Sequence, residues 1–278
     1  MIVWLASYPK SGNTLLRSIL SSYFFSKDGI FDFSLLKNIP NFPEIEFFKN
    51  LHIDVSNEHE INKNYIAAQN LINDGKKNKI IFLKTHSSFC KINNYNFTDN
   101  KNTLGCIYVV RDPRNVAISR ANHFHQNYEE ATEDLFRELG LINNNYPAVK
   151  TYVGTWSFNF KSWKRMPKKN FLLIKYEDLI LNKEIIINKI FKFLENLTTS
   201  PINIDQKKIK NILQSTDFHH LQKMEKEKGF EEASKKKGKT NPFFHLGPEN
   251  NWKNILSLKL KKKIENKLFS EMKELEYL

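Results

Sequence analysis

Four short apolar runs, rich in Ile, Val, Leu and Phe, divide the first two thirds of the chain. Continuous apolar runs of this length are typical of strands that are buried on both faces of a parallel sheet. Between the runs, apolar residues recur at helical spacing, which predicts helical crossovers between parallel strands. The predicted strands are IVWLA (2–6), KIIFLK (79–84), LGCIYVV (104–110) and FLLIK (171–175), and the helices between them cover 13–25, parts of 56–75, 113–127 and roughly 150–165.

The last third of the chain has helical periodicity without further strands. Two segments, 26–55 and 229–251, have no clear period; the first is rich in aromatic residues and is predicted to pack over one end of the sheet. No internal repeat or low-complexity linker divides the chain. We therefore predict an α/β fold in one domain, residues 1–278, with a central parallel sheet flanked by helices. The remaining predicted helices are 183–195, 205–213, 216–228 and 252–275.

A polar cluster follows each predicted strand directly. Because the carboxyl ends of parallel strands lie at the same edge of a sheet, ligands of open α/β sheets bind there. We therefore expect the four clusters to form one site. In chain order they are SYPKSGNT, KTH, RDPRN and YED.

The first cluster lies between a strand and a helix and has the features of an anion-binding turn. Backbone N–H groups and the positive end of the helix dipole converge at such a junction, and Gly12 lets the backbone approach a ligand closely. The turn is P-loop-like but departs from GxxxxGK[ST], because Asn13 occupies the lysine position and the lysine is Lys10. No apolar run ends in a convincing magnesium-binding aspartate. These departures favour a donor other than ATP, bound without a metal ion.

Composition limits the function classes further. The net charge of +13 indicates anionic ligands, although much of it lies in KKKGKT (235–240) and in a basic helix near the C-terminus. There is no apolar run of the ~18 residues that a membrane span needs, and no signal-peptide pattern. The two cysteines, Cys90 and Cys106, are too few for a disulfide framework and are expected to be buried thiols. We therefore expect a cytoplasmic protein with no membrane partner.

At this point the sequence resembles the sulfotransferases that use 3′-phosphoadenosine 5′-phosphosulfate (PAPS). The loop YPKSGTTW of that family is similar to YPKSGNTL at 8–15, and its YVVRNPRDVAVS element is similar to YVVRDPRNVAIS at 108–119. Three shorter motifs follow in the same order: KTH at 84–86, YED at 176–178 and NNWKN at 250–254. The resemblance spans nearly the whole chain. It implies a sulfotransferase fold, PAPS as donor and 3′,5′-ADP (PAP) as product.

The resemblance also implies the catalytic residues. His86 would be the general base that takes the proton from an acceptor hydroxyl or amine, in an in-line displacement without a covalent enzyme intermediate. Lys10 would bind the oxygen between phosphate and sulfate, where negative charge grows in the transition state. Lys84 would act on the non-bridging sulfate oxygens. Ser119 would steer the loop lysine until an acceptor is bound.

The same resemblance implies the residues that bind the nucleotide. Arg111 and Ser119 would hold the 3′-phosphate, since the guanidinium fork of arginine suits phosphate. Tyr176 would lie near adenine, with Thr216 as a hydrogen-bonding group and Phe218 as a stacking ring. Arg114 is expected at the surface. The phosphosulfate itself would lie on Lys10, Ser11, Gly12, Asn13, Thr14 and Leu15.

The chain departs from the family in its C-terminal loop. Animal cytosolic members read RKGxxGDWKN there and contact the 3′-phosphate, whereas this chain has His245, Leu246 and Gly247. Two cationic contacts are therefore missing. His245, or the lysines between Lys235 and Lys239, are candidates to replace them, and Gly247 keeps the position of the family glycine.

Two other functions remain open at the level of sequence. One is a P-loop kinase of a small acceptor, and the other is a basic nucleic-acid-binding protein, although no recognisable nucleic-acid module supports the latter. Under the sulfotransferase interpretation the acceptor is a small molecule or a glycan and nucleic acid is not a partner. The acceptor pocket would be formed by 26–55, 120–150 and 229–250, which include Phe47, Phe48, Phe124 and Tyr128. A homodimer is also left open.

Overall fold

The computed structural model describes residues 1–75, 79–142, 149–236 and 238–278. Its strands are β1 Ile2–Ser7, β2 Ile81–Thr85, β3 Lys91–Ile92, β4 Tyr95–Asn96, β5 Thr103–Val110, β6 Leu139–Ile142, β7 Lys150–Gly154, β8 Phe171–Lys175, β9 Ser234–Lys236 and β10 Lys239–Asn241. Its helices are α1 Asn13–Phe25, α2 Glu58–Lys63, α3 Tyr65–Asp74, α4 Pro113–Phe124, α5 Tyr128–Asp134, α6 Trp156–Lys164, α7 Tyr176–Leu181, α8 Lys183–Thr198, α9 Gln206–Ser215, α10 Phe218–Lys228, α11 Trp252–Ile255, α12 Leu258–Lys267 and α13 Phe269–Glu274.

The four predicted strands form one parallel sheet in the order β2-β1-β5-β8. β1 lies at the centre, where Trp4 pairs with Leu83 of β2 and with Cys106 of β5. β8 forms the other edge, with Cys106 opposite Phe171. The predicted central parallel sheet flanked by helices is therefore confirmed.

Both faces of the sheet are covered, which explains why its strands are continuously apolar. Trp4 points into a core that also contains Trp156 and Trp163 of α6. Leu5 points to the opposite core, which α1, α8 and α9 complete. Successive residues of a strand point to opposite faces, which explains why the residues of β1 from Ile2 to Ala6 are all apolar.

Two helix predictions are wrong in detail. The first five residues of the predicted helix 150–165 form β7, which pairs with β6 in an antiparallel ribbon, and only α6 is helical. The predicted helix 252–275 is three helices, α11 to α13, because Leu256 is extended and Ser257 caps α12 by accepting a hydrogen bond from the Leu260 N–H. The side chain of Cys90 is half-buried, whereas that of Cys106 is fully buried as expected.

The two segments without periodicity contain only short elements. Residues 26–55 hold three 3₁₀ turns, at Phe33–Asn38, Ile45–Phe47 and Lys49–Leu51. This segment runs along the end of β2, where Phe42 N–H donates to the Lys84 carbonyl and Lys84 N–H donates to that of Pro40. Segment 229–251 contains the small hairpin of β9 and β10. No helix in the described part of the chain has both the length and the apolar character to cross a bilayer.

Candidate active site

A cleft of about 1550 Å³ opens at the carboxyl edge of the sheet, where the four polar clusters meet. Its walls include the residues that the sequence predicted for catalysis or donor binding, except Ser11, whose side chain is buried, and Lys239 among the candidate lysines of the C-terminal loop. Lys235, Lys236 and His245 also line it. Lys237 lies outside the described residues. The cleft thus contains Lys10, Gly12, Asn13, Thr14, Leu15, Lys84, His86, Arg111, Ser119, Tyr176, Thr216, Phe218, His245 and Gly247.

The turn between β1 and α1 has a backbone that only certain residues can adopt. Lys10 has φ of 67° and Gly12, which precedes the first turn of α1, has φ of 103°. A Cβ on Gly12 would lie 2.3 Å from Cδ2 of Tyr176. Glycine is therefore required at residue 12 both for its left-handed conformation and for the close approach of the tyrosine ring.

Asn13, which replaces the lysine of the P-loop pattern, links the turn to β1 through its side chain. Its Nδ2 donates to the Leu5 carbonyl at 2.8 Å and to Oγ of Ser7 at 3.2 Å. Its side chain is therefore directed at β1. Only its backbone is free to face a ligand, as expected for the first residue of a helix.

Lys10 carries its ammonium group into the cleft, 3.6 Å from the centroid of the Phe243 ring. The pKa of Lys10 is lowered to about 7, mainly by burial; the charge of Glu232 opposes this shift, and the positive charges of Arg111 and Lys84 add to it. This lysine is a poorly hydrated cation, and an arriving anion would stabilise its charged form.

His86 follows β2 and lies beside β1. Its Nδ1 is 2.8 Å from the Ser7 carbonyl oxygen, and because a carbonyl can only accept, Nδ1 carries the proton. Nε2 is then the unprotonated nitrogen. Burial, assisted by the positive charge of Lys84, lowers the pKa of His86 to about 3, so the imidazole is neutral at physiological pH. Asn159 fixes the backbone here by donating to the His86 carbonyl at 3.0 Å.

Two charged residues that the sequence analysis missed lie beside Lys84. Glu232 accepts a hydrogen bond from Arg17 Nη1 at 2.5 Å, and its carboxylate lies 3.7 Å from Lys84 Nζ. Arg17 is one turn into α1 and is only 5% exposed. In the sequence it has the position of an ordinary helix-face residue, and Glu232 belongs to a segment without a pattern, so neither gave a usable signal.

Arg111, at the end of β5, connects two of the polar clusters. Its Nη1 donates to the Lys10 carbonyl at 3.2 Å, and its guanidinium carbon lies 4.2 Å from the centroid of the Tyr176 ring. Its Nε is buried without a hydrogen-bond partner among the described residues. Glu177 holds the backbone next to Arg111, because its carboxylate accepts a hydrogen bond from the Asp112 N–H at 3.1 Å. Arg111 is thus a fixed cation with a donor still to be satisfied.

Arg114 is buried, and the expectation of a surface position is wrong. Its guanidinium bonds to Asp112 and to Glu265 of α12, and it stacks on Trp252 at 3.8 Å. Its Nη2 also donates to the Tyr277 carbonyl at 2.7 Å. Sequence alone gave no signal for this, because Glu265 and Tyr277, its hydrogen-bond partners besides the neighbouring Asp112, lie 151 and 163 residues away.

The remaining predicted donor-binding residues form the far wall of the cleft. The Thr216 hydroxyl donates to the Ile212 carbonyl at 2.7 Å, so towards a ligand it can only accept. Gly247 has φ of 52°, and a Cβ on it would lie 2.3 Å from the Phe218 ring. His245 lies on the same wall, and burial lowers its pKa. Ser119 lines the cleft from α4.

The four aromatic residues considered for the acceptor pocket lie in different parts of the structure, and one of them lines the cleft. Phe124 lines the cleft. Phe48 is fully buried in the core and Phe47 packs against that core, while Tyr128 is 39% exposed outside the main cleft. The cleft is also lined by aromatic side chains that the sequence analysis did not select, namely Phe33, Phe230, Phe243 and Phe244.

A strand–turn–helix anion site with converging cations, at the carboxyl edge of a parallel sheet, is the arrangement with which P-loop-like α/β proteins bind phosphorylated ligands. Within that class the comparison with protein families is specific. Residues 2–276 match the model of the sulfotransferase domain. The chain therefore belongs to the sulfotransferase family and is a transferase of sulfuryl groups.

Individual relatives are distant but cover almost the whole chain. Sulfotransferase 1 family member D1 of Rattus norvegicus is 24% identical over 98% of this chain and 83% of its own length. Flavonol 3-sulfotransferase of Flaveria bidentis is 24% identical over 97% of this chain and 80% of its own length. Among solved structures, mouse sulfotransferase SULT7A1 complexed with PAP has a TM-score of 0.62 at 18% identity, covering 97% of this chain and 83% of that one. Retinol dehydratase in a complex with retinol and PAP has a TM-score of 0.60 at 18% sequence identity, covering 98% of this chain and 81% of that one. The structural matches establish the fold.

Proposed function

We propose that this sulfotransferase uses PAPS as donor, without a metal ion, and transfers its sulfuryl group to a hydroxyl or amine of a small molecule. The observation that carries the proposal is that Lys10, His86 and Arg111 lie around one cleft. The unpartnered Nε of Arg111 and the poorly hydrated ammonium of Lys10 fit a doubly phosphorylated nucleotide. PAP is present in the structures of mouse SULT7A1 and of retinol dehydratase.

In this mechanism His86 Nε2 accepts the proton of the acceptor. The tautomer is set by the Ser7 carbonyl, and the lowered pKa keeps the nitrogen unprotonated above about pH 3. The donor supplies an activated sulfuryl group, whose bond to the 5′-phosphate oxygen breaks as the bond to the acceptor oxygen forms. A base of such low pKa accepts the proton late, once the acceptor oxygen has become acidic by bonding to sulfur.

Lys10 stabilises the leaving phosphate oxygen, where negative charge increases as the reaction proceeds. Lys84, at the end of β2, lies beside His86 and is placed to act on the non-bridging oxygens of the sulfuryl group. Ser119 faces the cleft from α4 and would steer Lys10. Arg111 would hold the 3′-phosphate and Tyr176 the adenine side, with Thr216 and Phe218 on the opposite wall.

The acceptor is proposed to be a largely apolar small molecule with a hydroxyl group. The cleft combines aromatic walls, including Phe33, Phe124 and Phe243, with a few polar groups, which is typical of small-ligand sites. Androsterone and retinol occur in the retinol dehydratase structures, and a flavonol is the substrate in the name of the plant relative. We further propose that residues 1–278 act as one domain in the cytoplasm; gel filtration with light scattering would distinguish a monomer from a homodimer.

The decisive experiment compares His86→Ala with His220→Ala, since His220 is an exposed histidine on α10. Each protein is incubated with PAPS, EDTA and a panel of phenols, sterols, retinoids and sugars, and PAP release is measured. We expect His86→Ala to lower turnover by about 10²–10⁴-fold and to leave PAP binding within about twofold. His220→Ala should behave as the wild type.

Three outcomes would count against the proposal. Normal turnover by His86→Ala would remove the proton acceptor assigned here. Release of ADP from ATP with magnesium, together with no heat of PAP binding, would favour the P-loop kinase alternative. Salt-sensitive binding to duplex DNA that PAP does not affect would favour the nucleic-acid alternative.

A further inference from the structure

The segment after α10 turns back into the cleft and places one carboxylate among the cations of the anion-binding turn. Glu232 Oε2 accepts from Thr14 Oγ1 at 3.1 Å, and Oε1 lies 2.5 Å from Arg17 Nη1 and 3.7 Å from Lys84 Nζ. Burial alone would raise the pKa of Glu232, but Lys84 and Arg17 outweigh it and hold this pKa well below its usual range. The group is therefore an ionised carboxylate bound as an anion.

The groups that bind this carboxylate are built to hold an anion and are fixed in advance. Thr14 is the second residue of α1, at the positive end of the helix dipole. Arg17 donates its Nε and Nη2 to the carbonyls of Ile39 and Leu36, both at 3.1 Å, which leaves Nη1 directed at the carboxylate. Lys84 is held in place by the backbone pairing of β2. Two or three charged and polar donors around one anion form the arrangement that proteins use for phosphate or sulfate.

The same segment also covers Lys10. The Phe230 ring packs on Phe33 with centroids 4.5 Å apart, and the Phe243 ring lies over the Lys10 ammonium. Glu225 of α10 fixes the end of this cover by accepting from the Phe243 N–H at 2.7 Å. The carboxylate of Glu232 and the aromatic cover of Lys10 therefore belong to one stretch of chain, residues 230–243, and are expected to move together.

We infer that Glu232 occupies, in the donor-free protein, the subsite of the 5′-phosphosulfate oxygens, and that Arg17 is a further donor-binding residue of that subsite. The inference rests on the proposed function. One subsite of this size cannot hold two anions, because their repulsion in a partly buried site is costly. The donor must displace Glu232, which compensates Arg17 and Lys84 while the cleft is empty and lowers the affinity for the donor.

The test measures nucleotide binding by calorimetry for the wild type, Glu232→Gln and Glu44→Gln. Glu44 is the matched control because its partly buried carboxyl lies in the same cleft near Lys84 and Arg17, yet it does not bond to Thr14. The ligands are PAP and adenosine 3′-phosphate, which lacks the 5′ anion. We expect Glu232→Gln to bind PAP at least about tenfold more tightly, which corresponds to about 1.4 kcal/mol. Its affinity for adenosine 3′-phosphate should stay within about twofold of the wild type.

Each alternative result has a definite meaning. Unchanged or weaker PAP binding by Glu232→Gln overturns the inference, because Glu232 then remains in place with the nucleotide. Equal tightening by Glu44→Gln, or of adenosine 3′-phosphate, also overturns it, because the effect is then one of general charge. Failure of both the wild type and Glu232→Gln to bind PAP would instead reject the proposed function. Within the Glu232→Gln background, Arg17→Lys should weaken PAP binding several-fold, and unchanged affinity would exclude Arg17 from the subsite.

Discussion

The affinity for PAP should fall as the pH rises above 7, because Lys10 loses its proton there. An ordinary lysine, with a pKa of 10.5, would remain charged throughout this range, whereas burial lowers the pKa of Lys10 to about 7. Only the charged form attracts phosphate. With a pKa of about 7, the charged fraction falls from about one half at pH 7 to about one tenth at pH 8 and about one hundredth at pH 9. The Kd for PAP should therefore rise about fivefold at pH 8 and about 50-fold at pH 9, relative to pH 7. The second ionisation of the phosphates is complete by about pH 7, so the ligand does not contribute to this slope.

Calorimetric titration with PAP between pH 7 and pH 9 measures this slope directly. Lys10→Met should bind weakly at every pH and show no slope. The pKa of Lys84 is also lowered by burial, so Lys84→Met is the matched control and should bind more weakly while keeping the slope. A Kd that is constant from pH 7 to pH 9 in the wild type would refute the assignment of Lys10 as the buried cation of the turn.

Two further predictions concern stability. Gly12→Ala should lower the free energy of unfolding by about 2 kcal/mol or more and abolish PAP binding, because the φ of 103° and the 2.3 Å approach of Tyr176 both exclude a Cβ. Urea denaturation measures the loss, and Gly75→Ala is the control, because Gly75 has a right-handed φ and a Cβ there would meet no atom closer than 3.4 Å. Arg114→Met should lower that free energy by about 3–5 kcal/mol, because it leaves the buried carboxylate of Asp112 without its cation and removes the ion pair with the partly buried Glu265. Lys223→Met, at the exposed ion pair with Glu227, should change it little, and equal thermal midpoints for the two variants would contradict the buried network.

The central sheet was predictable because its physical cause is local. A strand buried on both faces must be apolar along most of its length, and β1, β2, β5 and β8 each contain such a run, with polar residues at their ends. The catalytic edge followed from topology, since parallel strands end on the same side. β7 was missed because its stability depends on pairing with β6, about ten residues earlier, and not on a pattern of its own. Ser257 is a helix-capping residue that the sequence does display, so the break before α12 could have been recognised.

The charged groups of the site were harder to predict because their partners are distant in sequence. Lys10, His86 and Arg111 follow strands directly, so their positions were fixed by the fold. Arg17 and Glu232 are 215 residues apart and meet only because the segment after α10 folds back over α1. Arg114 has the same character, since its partners lie in the C-terminal helices and its burial depends on them. Long-range ion pairs leave no periodicity in a single sequence.

The C-terminal loop shows why a shared glycine does not imply a shared phosphate contact. Gly247 is needed because the Phe218 ring occupies the space of a Cβ, which is a steric reason independent of any ligand. The family glycine is thus accounted for, while the two cations beside it are absent from the sequence. Arg111 is a cation of the same cleft, held in place by stacking on Tyr176 and by its hydrogen bond to the Lys10 carbonyl. Because one guanidinium joins the anion-binding turn to the nucleotide wall, loss of Arg111 should disturb both ends of the donor site, whereas loss of Lys235 or Lys236 should disturb one.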